Sequence, residues 1–120
     1  MTRKYSLFVE DILDAIVWIE QFTKDMDFEQ FRADEKTKTA VVKKLEILGE
    51  AAKNIPKAIR NKQKGLPWTD MAKMRDKLSH ESFGVRYDIV WKVIIEKLPG
   101  IKHSIEKMLN DLKAAEEDNT

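Results

Sequence analysis

AVVKKLEILGEAAKNIP, residues 40–56, places Val41, Leu45, Leu48, Ala52 and Ile55 at successive steps of 4, 3, 4 and 3. Residues three and four apart share one face of an α-helix, and this alternation is the seam of a helix bundle. Gly49 falls inside that helix, where glycine costs about 1 kcal/mol relative to alanine. Its presence there predicts a close packing contact. Glu46 and Glu50 lie one turn apart beside the seam, Pro56 closes the segment, and Asp34 upstream is an N-cap whose carboxylate accepts the free N–H groups of the first turn.

Upstream, the spacing predicts a helix over 6–24. Phe8, Ile12, Ala15, Ile16, Ile19 and Phe22 form one apolar face, which Leu13, Val17 and Trp18 broaden. Residues 25–32 break the pattern and read as a connection anchored by Phe28 and Phe31. Downstream, 56–66 reads as a basic connection, and Pro67 fits the first turn of a third helix, with Met71, Met74 and Leu78 on its buried side. Gly84 marks a break, and Asp88 caps a fourth helix. Pro99-Gly100 interrupts that helix and opens a fifth, with Ile101, Ile105, Met108, Leu109 and Leu112 buried. The end, from about 114 to 120, is expected to fray. The reading is an all-α, antiparallel four- to five-helix bundle occupying one domain over 1–120.

Composition agrees and excludes several functions. With four Gly and three Pro in 120 residues, the chain lacks the turns of an all-β domain. The absence of Cys removes disulfide scaffolds, thiolate zinc sites and cysteine nucleophiles. The two His, at 80 and 103, are too few and too far apart for a histidine metal site, so neither metal nor cofactor is expected. No apolar run reaches the ~18 residues of a membrane span, and acids interrupt the N-terminal apolar stretch, unlike a secretory signal. A soluble, cytoplasmic protein is the expectation. The net charge of +1 does not indicate a strongly basic nucleic-acid binder. Its distribution is uneven, however: residues 10–35 hold nine acids against Lys24 and Arg32, whereas 51–69 hold Lys53, Lys57, Arg60, Lys62 and Lys64 with no acid. A basic face opposite an acidic one, and two merely solvated surfaces, are equally open readings.

MRDKLSHESFGV, residues 74–85, is the stretch that can carry chemistry. On a continuous helix Arg75 and His80 stand about 140° apart around the axis. A helix that ends near Ser79 or His80 lets the imidazole swing toward the guanidinium. Arginine supplies a planar, permanently charged fork for phosphate oxygens, and histidine moves protons in both directions near neutrality. Spacing alone favours a surface Arg with a capping His over a catalytic pair.

Three ordered blocks go further. AVVKKLEILGEAAKNIP (40–56), LPWTDMAKMRDKLSHESFGV (66–85) and DIVWKVIIEKLPGI (88–101) resemble the HEPN-domain proteins of the HepT-like toxin family, over nearly the whole chain. The resemblance implies a homodimeric, metal-independent endoribonuclease, the toxin of a type VII toxin–antitoxin pair. It maps the family's catalytic Arg onto Arg75, its His onto His80, and the polar residue after the Arg onto Asp76. It also implies a partner, a minimal (MNT-type) nucleotidyltransferase antitoxin. The family commonly extends the motif to R-x4-H-x-Y, and the antitoxin can adenylylate that Tyr; here the aligned residue is Ser82, with Tyr87 five residues on.

Other residues take plainer readings. Trp18 and Trp91 suit a core or a dimer interface, Trp68 a staple under the basic loop, and His103 a solvated face. Glu46 or Glu50 is expected to bond Arg75 or a backbone N–H across the bundle, with Glu46→Gln disturbing the site. Segment 53–64 is the candidate for RNA phosphate contacts, with salt-sensitive binding as its signature. Two alternatives stand beside the ribonuclease: a non-catalytic dimeric module that docks a nucleotidyltransferase, and a structural bundle without a ligand.

Overall fold

The computed structural model describes residues 3–80 and 84–118, and among these the regular elements are all helical. Helix α1 (Tyr5–Thr23) packs on α3 (Glu35–Lys53) and on α7 (Leu98–Asp118), and α3 packs in turn on α5 (Trp68–His80). The expected apolar stripes form the core. Ile12, Ile16 and Ile19 of α1, Val41, Leu45 and Leu48 of α3, Met71 of α5 and Ile105 of α7 are all buried. No helix among the described residues is long and apolar enough to cross a membrane.

Asp34 caps α3 as expected: its Oδ1 accepts the Thr37 backbone N–H at 3.0 Å. That hydrogen bond is the main reason its carboxyl is held below the usual carboxylate range. Asp34→Ala is therefore expected to lower the unfolding midpoint by roughly 3–6 °C, read by circular dichroism.

Two expected connections and one expected cap are structured differently. The stretch 25–32 contains a helical turn, α2 (Phe28–Ala33), held by a reciprocal cap in which Asp27 Oδ1 accepts from Gln30 N and Gln30 Oε1 from Asp27 N. Six residues are too few to show a helical period, and the capping box was the only local signal. The basic stretch 56–66 likewise holds α4 (Lys57–Lys62). Asp88 does not cap the fourth helix: α6 (Tyr87–Lys92) starts one residue earlier, after Arg86, and Asp88 pairs with that arginine at 2.8 Å.

The largest correction concerns Pro99-Gly100, which neither ends a helix nor starts one. A π-helical turn, Val93–Lys97, joins α6 to α7 without a break. Proline removes an N–H donor and collides with the carbonyl four residues back in a regular helix. Here Leu98 N–H instead reaches Val93 O, five residues back, and the wider turn makes room for the ring. The resulting rod, 87–118, is about 48 Å long at 1.5 Å per residue, which accounts for the molecule's longest dimension of 50 Å. Helix persists through Asp118, into the stretch expected to fray.

Aromatic side chains fasten the short helix to the rod. Phe31 of α2 is fully buried against Trp91 (ring centroids 5.1 Å apart) and meets Tyr87 edge-on at 6.2 Å. Lys38 Nζ lies 4.6 Å from the centre of the Tyr87 ring. Tyr87 is thus a packing residue at the start of α6.

Candidate functional site

The contact predicted from Gly49 lies where α3 crosses α5. A Cβ at position 49 would stand 2.5 Å from Arg75 Cβ, 2.7 Å from Met71 O and 2.9 Å from Arg75 N. Only a residue without a side chain lets the α5 backbone approach this closely. The crossing sets Arg75 directly over the following residue of α3, Glu50. Arg75 Nε pairs with Glu50 Oε2 at 3.0 Å, and Arg75 Nη1 donates to Asp76 Oδ1 at 3.3 Å. Lys53, one turn further along α3, donates from Nζ to the same Asp76 oxygen at 3.1 Å.

The expectation that Glu46 or Glu50 reaches Arg75 is met by Glu50. The informative substitution is therefore Glu50→Gln and not Glu46→Gln. Removing the Glu50 charge is expected to loosen the guanidinium and cut any activity that depends on it by about tenfold, with the helical content unchanged. Glu46→Gln should match the parent in the same assay.

Two carboxylates, one of them also bound by Lys53, thus hold the arginine fork in place. The Arg75 side chain remains 37% exposed, and among the described residues its Nη2 has no hydrogen-bond partner, so one edge of the fork can receive an anion. Asp76 is kept below the usual carboxylate range, first by the hydrogen bond from Lys53 and then by Arg75. With the folded-state value depressed, the Asp76 contacts to Lys53 and Arg75 are present above the ordinary carboxylate value and are lost only as pH falls through the lower one. Any acid-side loss of activity between about pH 5 and 7 therefore does not arise from Asp76. A pH–rate profile checks this: a limb near the carboxylate value would contradict it.

Helix α5 ends at His80, as expected, while its register keeps the backbone positions of 75 and 80 about 140° apart on one chain. The side chain of His80, and Ser82, lie outside the described residues. The remaining candidates take structural places. Trp68 is buried and donates from Nε1 to Gln63 O at 3.0 Å, stapling the loop as expected. Trp91 packs on α2, His103 is exposed on α7, and Trp18 stacks on Phe22 at the surface with Lys44 Nζ 5.7 Å from its ring. Sequence reasoning missed Lys53 as part of the cluster, since no pattern links it to Asp76 across 23 residues.

An all-helical bundle with an arginine held at its central crossing, and a histidine position closing the same helix, has the architecture of a HEPN-like domain. A family model described as "Ribonuclease HepT-like" matches residues 12–108. The chain belongs to that family. It is 45% identical over 108 residues to the probable ribonuclease HepT of Thermococcus cleftensis, covering 90% of this chain and 98% of that one. It is 42% identical over 112 residues to a protein of Methanocaldococcus jannaschii provisionally named RNase MJ0127, covering 93% of each. No solved structure matches the chain at the same stringency.

Proposed function

We propose that the protein is a metal-independent endoribonuclease that cuts RNA at a site built from Arg75, Asp76 and His80, and that it is the toxin of a type VII toxin–antitoxin pair. Its family supplies the ribonuclease class. The observation that carries the site is the fixed guanidinium: Arg75 is gripped by Glu50 and Asp76 at the α3–α5 crossing while one edge stays open.

RNA brings its own nucleophile, the 2′-OH beside each phosphodiester. His80 takes the 2′ proton, the 2′ oxygen attacks phosphorus, and the 5′ oxygen leaves with a proton from a second acid. Arg75 offsets the charge that accumulates on the phosphorane oxygens. Asp76 and Glu50 hold the fork so that no reorganisation is needed as that charge develops. One chain provides one such histidine, and its helix register sets positions 75 and 80 apart, so the acid–base pair is completed by a second copy across a two-fold axis. Two features support dimerisation. An apolar groove lined by Met74, Leu78 and Ile89 lies between α5 and α6, and Ile89 and Ile95 are 43% and 56% exposed.

The remaining partner is a minimal nucleotidyltransferase antitoxin. With Ser82 in the position of the family tyrosine, that partner neutralises the toxin either by covering the site or by modifying Ser82. The products test the reading. Fragments ending in 2′,3′-cyclic phosphate and 5′-OH, made by a dimer, are expected; 3′-OH ends or a fully active monomer would overturn it.

A further inference from the structure

The basic segment 53–64 is only partly used by the site described above, which takes Lys53. Three of its other cations line an open cleft of about 370 Å³ between α4 and the start of α5. Lys57, Arg60 and Lys64 contribute from the α4 side, with Asn61, and Thr69 and Asp70 from the first turn of α5. Three features suit this cleft to an anion. Among the described residues, none of its three cations, Lys57, Arg60 and Lys64, is paired with a carboxylate. Arg60 lines the cleft, and its buried Nε has no hydrogen-bond partner among the described residues. The wall opposite α4 is the beginning of a thirteen-residue helix, the end at which backbone N–H groups and the helix dipole favour negative charge. Asp70 is the one carboxylate in the lining and opposes the rest.

We infer that this cleft binds the phosphate backbone of a single RNA strand outside the scissile position. The inference rests on the ribonuclease reading for its choice of occupant. Thr69 precedes Arg75 by six residues on α5, about 9 Å along the axis, or roughly three stacked nucleotides at 3.4 Å each. A strand anchored in the cleft therefore reaches Arg75 within a few nucleotides. The cleft holds the substrate without touching the reacting atoms, so it sets affinity and the minimum length of RNA that is cut.

The test measures binding apart from cleavage. An RNA of about twelve nucleotides carrying 2′-O-methyl groups cannot be cut by its own 2′ oxygen, and its affinity for the full chain is followed across salt concentrations by fluorescence anisotropy. The parent is compared with K57Q/R60Q/K64Q and, separately, with Asp70→Asn. The triple variant should bind at least tenfold more weakly near 0.1 M salt, and its salt slope should be shallower by about two, since each lost phosphate contact removes roughly 0.7 from a single-strand slope. Asp70→Asn, which removes the opposing charge, should bind severalfold more tightly. Parent-like affinity and slope in the triple variant, or no RNA binding by the parent, would overturn the inference, as would a cleft that takes polyglutamate and not RNA. A parent that binds through the cleft but leaves unmodified RNA intact would remove the ribonuclease reading and leave the binding site standing.

Discussion

Replacing Gly49 with alanine is expected to destabilise the protein by about 1–2 kcal/mol, although alanine is the better helix former by about 1 kcal/mol. The added Cβ would meet Arg75 Cβ at 2.5 Å, Met71 O at 2.7 Å and Arg75 N at 2.9 Å. Two of these three atoms are α5 backbone and the third is fixed to it, so no side-chain rotation relieves the crowding. The helix must move as a body, and overpacking of this kind typically costs about 1–3 kcal/mol. An unfolding midpoint lower by about 4–8 °C is the expected readout. Because Arg75 rides on the displaced turn, activity should fall further than stability accounts for at a temperature where both proteins are folded. A variant as stable as the parent would show that the two helices do not approach this closely.

Arg75→Ala should have the opposite profile, with catalysis lost and the fold kept. Removing a positioned donor from a developing oxyanion costs about 10²–10³ in rate. The same side chain contributes little to folding, since it is 37% exposed and its partners Glu50 and Asp76 are 53% and 50% exposed. Exposed ion pairs of this kind contribute little to stability, so the thermal midpoint should stay within a few degrees. Arg75→Lys should recover only a small part of the rate, because an ammonium cannot hold Glu50 at one edge and present a second donor edge to phosphate. Full activity in Arg75→Ala would exclude this residue from the chemistry. Loss of the fold would make Arg75 a structural residue.

Much of this arrangement was readable from local pattern. The seam from Val41 to Ile55 locates α3, and the unfavourable glycine within it points to a close contact, though not to α5 as the partner. Carboxylates one turn apart beside that glycine were enough to anticipate a bond to Arg75, but choosing Glu50 over Glu46 required the crossing angle, which no single helix encodes. Lys53 was out of reach for the same reason. Elements shorter than two turns, α2 and α4, show no period, and only the Asp27–Gln30 cap could have revealed the first. The Pro99-Gly100 pair misled because its local meaning, a helix stop, was overridden by packing: Leu98, Ile101 and Ile105 are all buried on one side of the rod. A π turn absorbs the proline and keeps them there.

The most direct test of the account is RNA cleavage in excess EDTA by the parent, His80→Ala and Arg75→Ala at matched fold and oligomeric state. Cleavage by the parent, with both variants slower by about 10² or more, is the predicted result. Equal behaviour of all three, whether every one cuts or none does, would contradict it and leave the dimeric docking module as the reading of this chain.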